Sequence, residues 1–153
     1  RDLMIHDIDI ILTLVRSPVV HVQAVGVPVI SDRVDIANAR LQFASGCIAN
    51  VTASRVSVER LRKLRIFQRD TYLALDYAAQ EVTCYRRLLP PPGAPATELP
   101  RIVREEVAVD KAEPLRLELE SFLAAVRTRA RPVVSGEEAL EALRVAGEIL
   151  AKI

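Results

Sequence analysis

The sequence predicts an α/β (α+β) fold in which a large, mostly antiparallel sheet of about six strands carries helices on one face. Three observations lead to this prediction. The chain opens with an apolar helical run, continues through alternating or valine-rich segments joined by short turns, and ends in two amphipathic helical segments. Short turns favour antiparallel pairing, because a parallel pair needs a crossover connection of a dozen or more residues.

Length, composition and charge fit one soluble domain. Half of the 153 residues are apolar, which is enough to build a core. The 21 basic and 20 acidic side chains leave a net charge of +1, so no field draws the chain to nucleic acid or to an anionic membrane. No apolar run reaches the roughly 20 residues that span a bilayer, and the N-terminus lacks the pattern of a signal peptide. We therefore expect a cytoplasmic protein with no nucleic-acid and no membrane partner.

The two cysteines are too few for a disulfide framework or a zinc site. We expect Cys47 and Cys84 to be buried thiols, and we expect no metal site. The chain has no initiator Met and enters a helix directly. We interpret it as a domain cut from a longer protein.

The order of the elements follows from periodicity and turn signals. The first helix should end at Ser17-Pro18, because proline disfavours the helical region for the residue before it. Pro114 suits the first position of a helix, and Ser135 with Glu138 has the form of a capping box before the last helix. The strands are predicted at residues 21–29, 34–43, 48–56, 61–68, 71–78, 82–88 and 102–109. Residues 90–100 are rich in proline and are expected to form a surface loop, although a ligand for a proline-reading domain is an alternative.

The clearest hairpin joins residues 34–43 to residues 48–56 through a turn at Gly46. Its polar and apolar residues alternate, which is typical of a sheet with one packed face and one wet face. The polar side chains expected on the wet face are Asn38, Arg40, Gln42, Asn50, Thr52 and Ser54. The apolar ones expected on the packed face are Ala37, Ala39, Leu41, Phe43, Ala49, Val51 and Ala53.

The opening helix carries the strongest candidate site. At about 100° per residue, Asp2, His6, Asp9 and Thr13 fall in one narrow sector. Met4, Ile8, Ile11 and Val15 lie opposite, and most of the remaining residues are apolar. A polar stripe on an otherwise apolar helix indicates a side that faces a cleft. Histidine is suited to proton transfer near neutral pH, but a helix cap or a structural Asp/His pair is the alternative.

A second candidate is the basic segment between Arg55 and Arg69. As a strand it would divide its cations between two faces, with Arg60 and Arg62 on one and Lys63 and Arg65 on the other. That division and the scarcity of aromatic residues argue against a nucleic-acid surface. A solvated or salt-bridged edge is one interpretation. In the other, Arg55 and Arg60 bind a phosphate or carboxylate of a small substrate.

Several familiar motifs are absent. The five glycines are scattered and form neither a dinucleotide-binding loop nor a P-loop, and there is no serine nucleophile elbow. Any cofactor must therefore be bound by residues outside this chain.

The string Asp2-Leu3-Met4-Ile5-His6 resembles the Asp-x-x-x-His motif that opens the C-terminal domain of the glucose-fructose oxidoreductase / inositol dehydrogenase / MocA (Gfo/Idh/MocA) family. Residues 46–55, 65–68 and 72–76 are similar to its central hairpin and following strands, and the closing helix is similar too. The chain looks most like the nucleotide-sugar branch of the family.

The resemblance implies a two-domain NAD(P)-dependent oxidoreductase that acts on a sugar or nucleotide-sugar hydroxyl. This chain would be the substrate-binding and oligomerisation domain, with a fold like the C-terminal domains of dihydrodipicolinate reductase and glyceraldehyde-3-phosphate dehydrogenase. NAD or NADP would bind mainly to an N-terminal Rossmann domain that this chain lacks. His6 would be the general acid/base and Asp2 its support, while Asp9, Arg55 and Arg60 are candidates for substrate binding.

The resemblance also implies homodimers or tetramers formed through an open sheet face, and an isolated fragment that does not turn over. The alternative to the enzyme is a non-catalytic, self-associating module in which Asp2 and His6 form a merely structural pair.

Overall fold

The computed structural model describes residues 2–58, 61–91, 93, 95 and 99–153, and for residues 2 and 3 it describes the backbone. Three helices and seven strands lie within this part of the chain. The helices are α1 (Asp2–Val15), α2 (Pro114–Thr128) and α3 (Gly136–Lys152). The strands are β1 (Val19–Val27), β2 (Ile36–Phe43), β3 (Ile48–Ser54), β4 (Lys63–Phe67), β5 (Thr71–Asp76), β6 (Glu81–Leu88) and β7 (Arg101–Val107).

All strand pairs in the described part of the chain are antiparallel, which confirms the predicted α/β class with antiparallel pairing. The structure differs from the expectation of one large sheet, because the strands form a three-stranded sheet, β1-β2-β3, and a four-stranded sheet, β4-β5-β6-β7. After β3 the chain turns, and the Ser54 hydroxyl accepts hydrogen bonds from the N–H groups of Val56 and Ser57. Alternation of polar and apolar residues locates strands but does not say which strand pairs with which. The division into two sheets could therefore not be predicted from this pattern.

The chain divides into two compact units, residues 1–58 with 118–153 and residues 59–117. In the first unit, α1 and α3 pack against each other and against the three-stranded sheet. Burial of each large apolar side chain contributes roughly 1.5–3 kcal/mol. The buried cluster consists of Met4, Ile8, Ile11, Val22, Ala39, Leu41, Phe43, Val51, Ala142, Val145 and Ile149.

The first helix ends where the sequence predicts. Arg16 has a positive φ of 50°, and its N–H group donates to the carbonyl of Leu12 at 3.0 Å. The hydroxyl of Ser17 then accepts a hydrogen bond from the N–H group of Ser45 at 3.0 Å. This bond ties the end of α1 to the turn between β2 and β3.

The register of that hairpin confirms the two predicted faces. Asn38 pairs with Thr52 on the exposed face, and Leu41 pairs with Ala49 on the packed face. Gly46 adopts a φ of 84° in the turn, a conformation that glycine reaches without steric strain. Cys47, which was expected to be buried, is exposed beside this turn, whereas Cys84 on β6 is buried as expected. The expectation for Cys47 was wrong because a residue beside an exposed hairpin turn has few neighbouring residues that could cover its side chain.

Both later helices begin with caps. Pro114 is the first residue of α2, and the carboxylate of Glu113 accepts hydrogen bonds from the N–H groups of Leu115 and Arg116. The predicted capping box of α3 is present, with Ser135 and Glu138 bonded reciprocally. Within the described residues, no helix is long and apolar enough to cross a membrane.

Candidate active site on α1 and the Asp35 clamp

Helix α1 carries the candidate catalytic residues on the side away from the core. Met4, Ile8 and Ile11 are buried, which turns His6 to the solvent and leaves Asp9 half-buried. Asp2 lies in the first turn, four residues before His6, and its side chain is outside the described part of the structure. Helix geometry places positions four apart on one side, one turn from each other. His6 and Asp9 therefore lie on the side of α1 away from the core, while the predicted cleft on this side and the role of these residues are still predictions.

An exposed imidazole on a rigid helix can serve as a general acid or base. Its position is set by the packing of three buried neighbours on the same helix rather than by a loop. An acid–base group accelerates a reaction mainly through its precise position relative to the substrate. The geometry of α1 is therefore suited to holding His6 against a molecule that approaches from the solvent side.

The structure also reveals a polar cluster that the sequence analysis missed. The carboxylate of Asp35, which immediately precedes β2, is buried. One of its oxygens accepts hydrogen bonds from three consecutive backbone N–H groups, those of Val29 and Ile30 at 2.8 Å and that of Ser31 at 3.1 Å. The other oxygen accepts from the Ser31 hydroxyl and from Nε of Arg55. We call this cluster the Asp35 clamp.

The clamp strongly favours the ionised form of Asp35. Hydrogen bonds from the N–H groups of Val29 and Ile30 lower its pKa most, and the Arg55 guanidinium and the Ser31 N–H group lower it further. Burial acts in the opposite direction but is outweighed, so the pKa of Asp35 lies well below its ordinary range. The carboxylate is therefore charged at neutral pH.

The clamp gives Arg55 a partner inside the protein. Arg55 follows β3 directly, its Nε donates to Asp35, and its Nη2 donates to the Ser31 hydroxyl. Its side chain is still 44% exposed. Substrate binding by Arg55 stays a prediction, and the contact with Asp35 would orient the guanidinium. Arg60, the other predicted cation, lies outside the described residues.

A weak signal for the clamp was present in the sequence. Asp35 stands in a polar loop immediately before an alternating strand, a place where Asp side chains commonly bond to nearby backbone N–H groups. Arg55 lies 20 residues after Asp35 in the chain, so no local sequence pattern predicts that the two residues pair.

Comparison with known proteins identifies the family. Residues 1–71 match the model of the GFO/IDH/MocA C-terminal domain. A curated UDP-N-acetylglucosamine 3-dehydrogenase from Acidithiobacillus ferrooxidans is 38% identical to the chain, over 96% of this chain and 48% of the relative. The chain belongs to the Gfo/Idh/MocA family.

Solved structures of Gfo/Idh/MocA relatives share the fold. UDP-N-acetylglucosamine 3-dehydrogenase GnnA from Acidithiobacillus ferrooxidans superposes with a TM-score of 0.86 at 31% identity, covering 98% of this chain and 45% of that protein. The WlbA dehydrogenase from Bordetella pertussis, solved with NADH and UDP-GlcNAcA, has a TM-score of 0.64 at 19% identity, over 97% of this chain and 40% of its own. The chain thus spans about half the length of the relatives it matches.

Among the described residues of this Gfo/Idh/MocA chain, the glycines do not have the arrangement of a dinucleotide-binding turn. Such a turn needs glycines between a strand and a helix. Here Gly46 lies in a hairpin turn, and Gly136 and Gly147 lie within α3. Among the described residues no group of three His, Cys, Asp or Glu side chains could hold a metal ion.

Proposed function

We propose that this chain is the substrate-binding and oligomerisation part of an NAD(P)-dependent oxidoreductase that acts on a hydroxyl group of a nucleotide sugar. The observation that carries the proposal is the exposed His6 on α1, inside the segment that matches the family's C-terminal domain. The identity of 38% to a UDP-N-acetylglucosamine 3-dehydrogenase supports the class of substrate.

The proposed role of His6 is to move the proton of the reacting hydroxyl. Oxidation of a carbinol to a carbonyl releases the hydroxyl proton, which a general base must accept. The imidazole of His6 takes this proton, and in the reverse direction it returns it. The nicotinamide cofactor that accepts the hydride is proposed to bind to a part of the full-length protein outside this chain.

The other candidate residues are proposed to position the sugar nucleotide. Asp2 lies one turn before His6 and would hold the imidazole or a sugar hydroxyl in place. Asp9 lies one turn after His6 on the same side of α1 and would bind a further hydroxyl. Arg55 and Arg60 are cations suited to a phosphate or carboxylate of the substrate.

The domain is also proposed to assemble into homodimers or tetramers. The outer face of the three-stranded sheet is open and polar, with Asn38, Arg40, Asn50 and Thr52 exposed. It is a candidate surface for contact with another subunit.

Activity of the full-length protein that contains this chain tests the proposal. Turnover of UDP-N-acetylglucosamine with NAD⁺ or NADP⁺ should be measurable as formation of the reduced cofactor. His6→Asn should lower kcat by about a hundredfold or more, because it removes a group that transfers a proton in the transition state.

The matched control is His21→Asn, since His21 is an exposed histidine on β1 outside the polar stripe of α1. It should leave kcat within about twofold of the wild type. If His6→Asn retained the wild-type rate, His6 would have no part in the proton transfer. An intact protein inactive on every nucleotide sugar offered would instead support the non-catalytic module.

A further inference from the structure

Helix α1 and the three-stranded sheet are joined at one end, which determines where His6 lies. Ser17 follows α1, and its hydroxyl accepts a hydrogen bond from the N–H group of Ser45 in the β2–β3 turn. The carbonyl of Pro18 accepts a second bond, from the N–H group of Ala44 at 2.9 Å. The C-terminal end of α1 is therefore held at the β2–β3 turn, where β3 begins.

From this turn, α1 and β3 extend over each other for about the same length. The helix packs against the strand, and its 14 residues rise about 1.5 Å each. The 7 residues of β3 rise about 3.3 Å each, so both elements are about 20 Å long. Asp2 and His6 lie in the half of α1 that is far from the turn, and Arg55 follows the far end of β3. His6 and Arg55 therefore lie at the same end of the first compact unit.

The backbone of Asp35 anchors the clamp at this end of the unit. Its N–H group donates to the carbonyl of Val27, the last residue of β1, at 2.9 Å. Its carbonyl accepts a hydrogen bond from the N–H group of Arg55 at 3.0 Å. Because the backbone is held on both sides and the carboxylate is buried, Asp35 gives the side chain of Arg55 a fixed point of attachment.

The clamp holds one edge of the Arg55 guanidinium and leaves the other edge open. Nε donates to the carboxylate of Asp35 and Nη2 to the hydroxyl of Ser31, and these two nitrogens form one edge of the planar group. In the part of the chain that the structure describes, the N–H groups of Nη1 have no hydrogen-bond partner. The open edge, formed by Nη1 and the second N–H of Nη2, presents two parallel donors. Such a pair matches two oxygens of a phosphate.

The charge of Asp35 does not cancel that of Arg55 at this site. One carboxylate oxygen of Asp35 receives the N–H groups of Val29, Ile30 and Ser31. Oriented backbone N–H groups carry fixed partial positive charges, which offset part of the negative charge of the carboxylate. The clamp together with Arg55 therefore still attracts an anion from the solvent.

We propose that Asp35 is a positioning residue, which holds the guanidinium of Arg55 in the orientation that binds the diphosphate of the sugar nucleotide. This role rests on the proposed function, which supplies the class of substrate. Asp35 acts through Arg55 and does not contact the substrate, while His6, at the same end of the unit, acts on the sugar. A guanidinium that is already held loses less conformational entropy on binding. The clamp therefore strengthens binding of the diphosphate and leaves the proton transfer unchanged.

Calorimetry with UDP and turnover of UDP-N-acetylglucosamine, both on the full-length protein, test this role. Asp35→Asn keeps the size of the side chain but removes its charge. It should raise the Kd for UDP and the KM for UDP-N-acetylglucosamine about fivefold or more, with kcat within about twofold of the wild type. Arg55→Lys removes the planar fork and should raise both constants about tenfold or more. Asp32→Asn is the matched control, since Asp32 is an exposed carboxylate in the same loop, and it should change neither constant more than about twofold.

A double variant separates positioning from a merely structural effect. If Asp35 acts through Arg55, adding Asp35→Asn to Arg55→Lys should raise the Kd for UDP by less than about twofold more, because the group that Asp35 positions is already absent. An equal loss in both backgrounds would mean a structural role and would overturn the inference. Circular dichroism at the assay temperature verifies that each variant folds. If Asp35→Asn does not fold, Ser31→Ala takes its place and should raise the Kd for UDP about threefold.

UDP binding needs no turnover, so it distinguishes failure of the positioning role from failure of the proposed catalytic function. His6→Asn should lose activity but bind UDP within about twofold of the wild-type affinity. A wild-type protein that binds no UDP, or an Asp35→Asn variant that binds it as tightly as the wild type, overturns the positioning role. A protein that turns over no nucleotide sugar but binds UDP in a way that depends on Asp35 supports the positioning role and contradicts the catalytic one.

Discussion

Asp35 and Arg55 form an ion pair that joins the loop between β1 and β2 to the residue that follows β3. The backbone supports the same junction, because the N–H group of Arg55 donates to the carbonyl of Asp35 at 3.0 Å. The Asp35 side chain is fully buried, whereas that of Arg55 reaches solvent. The pair thus holds the loop against the ends of β2 and β3. It also orients the Arg55 guanidinium, which is a candidate for substrate binding.

Replacing Asp35 by asparagine should destabilise the protein in a way that depends on pH. The folded-state pKa of Asp35 lies below its ordinary value of 3.8, so the charge stabilises the fold above about pH 5. This contribution is lost as the pH falls below about 4, through the folded-state pKa. Asp35→Asn should therefore lower the Tm by about 5 °C or more at neutral pH and by less in acid. Thermal unfolding followed by circular dichroism across this pH range measures the difference.

Asp32→Asn is the control for this experiment, because Asp32 lies in the same loop but is exposed. It should leave the Tm and its pH dependence nearly unchanged. Equal losses of stability from Asp35→Asn at acid and neutral pH would show that the charge of Asp35 is not what the clamp stabilises.

The features that were predicted correctly from the sequence are those that depend on a regular spacing of polar and apolar residues within one segment. The polar stripe of α1 and the two faces of the β2–β3 hairpin follow from spacings of 3.6 and 2 residues, and the structure has both. The capping box at Ser135 is also a local signal. The Asp35 clamp and the division into two sheets depend instead on contacts between distant residues and on the directions of backbone N–H groups. Arg55 shows the difference, because the sequence allowed either a salt bridge or an anion of the substrate as its partner and did not identify Asp35.

Removing the cap of α3 should destabilise the fold by a modest, defined amount. The Ser135 hydroxyl accepts hydrogen bonds from the Glu138 N–H group at 3.3 Å and from Nη2 of Arg131 at 2.9 Å. Because α3 contributes three residues to the core, loss of its cap should lower the stability of the whole first compact unit. Ser135→Ala should lower the free energy of unfolding by about 1 kcal/mol, measured by urea denaturation.

Two further variants separate the cap from a general effect of losing a hydroxyl. Ser135→Asp supplies another capping oxygen and should retain most of the stability. Ser45→Ala changes an exposed serine in the β2–β3 turn and should alter the free energy of unfolding by less than about 0.5 kcal/mol. If Ser135→Ala and Ser45→Ala had the same effect, the capping box would not be a source of stability.

The isolated 153-residue chain should not bind the nicotinamide cofactor tightly. Gly46 lies in a hairpin turn, Gly26 in β1, and Gly136 and Gly147 in α3, so among the described residues these glycines form no glycine-rich turn between a strand and a helix that could receive a pyrophosphate. Titration of the chain with NADH and with NADPH by calorimetry should give no measurable heat of binding, whereas the full-length protein should bind one of them. Micromolar binding by the isolated chain would show that this chain recognises the cofactor by itself. It would contradict the proposal that the cofactor binds to a part of the full-length protein outside this chain. His6 and Asp2 would then belong to a complete site rather than to one side of a site that a second domain closes.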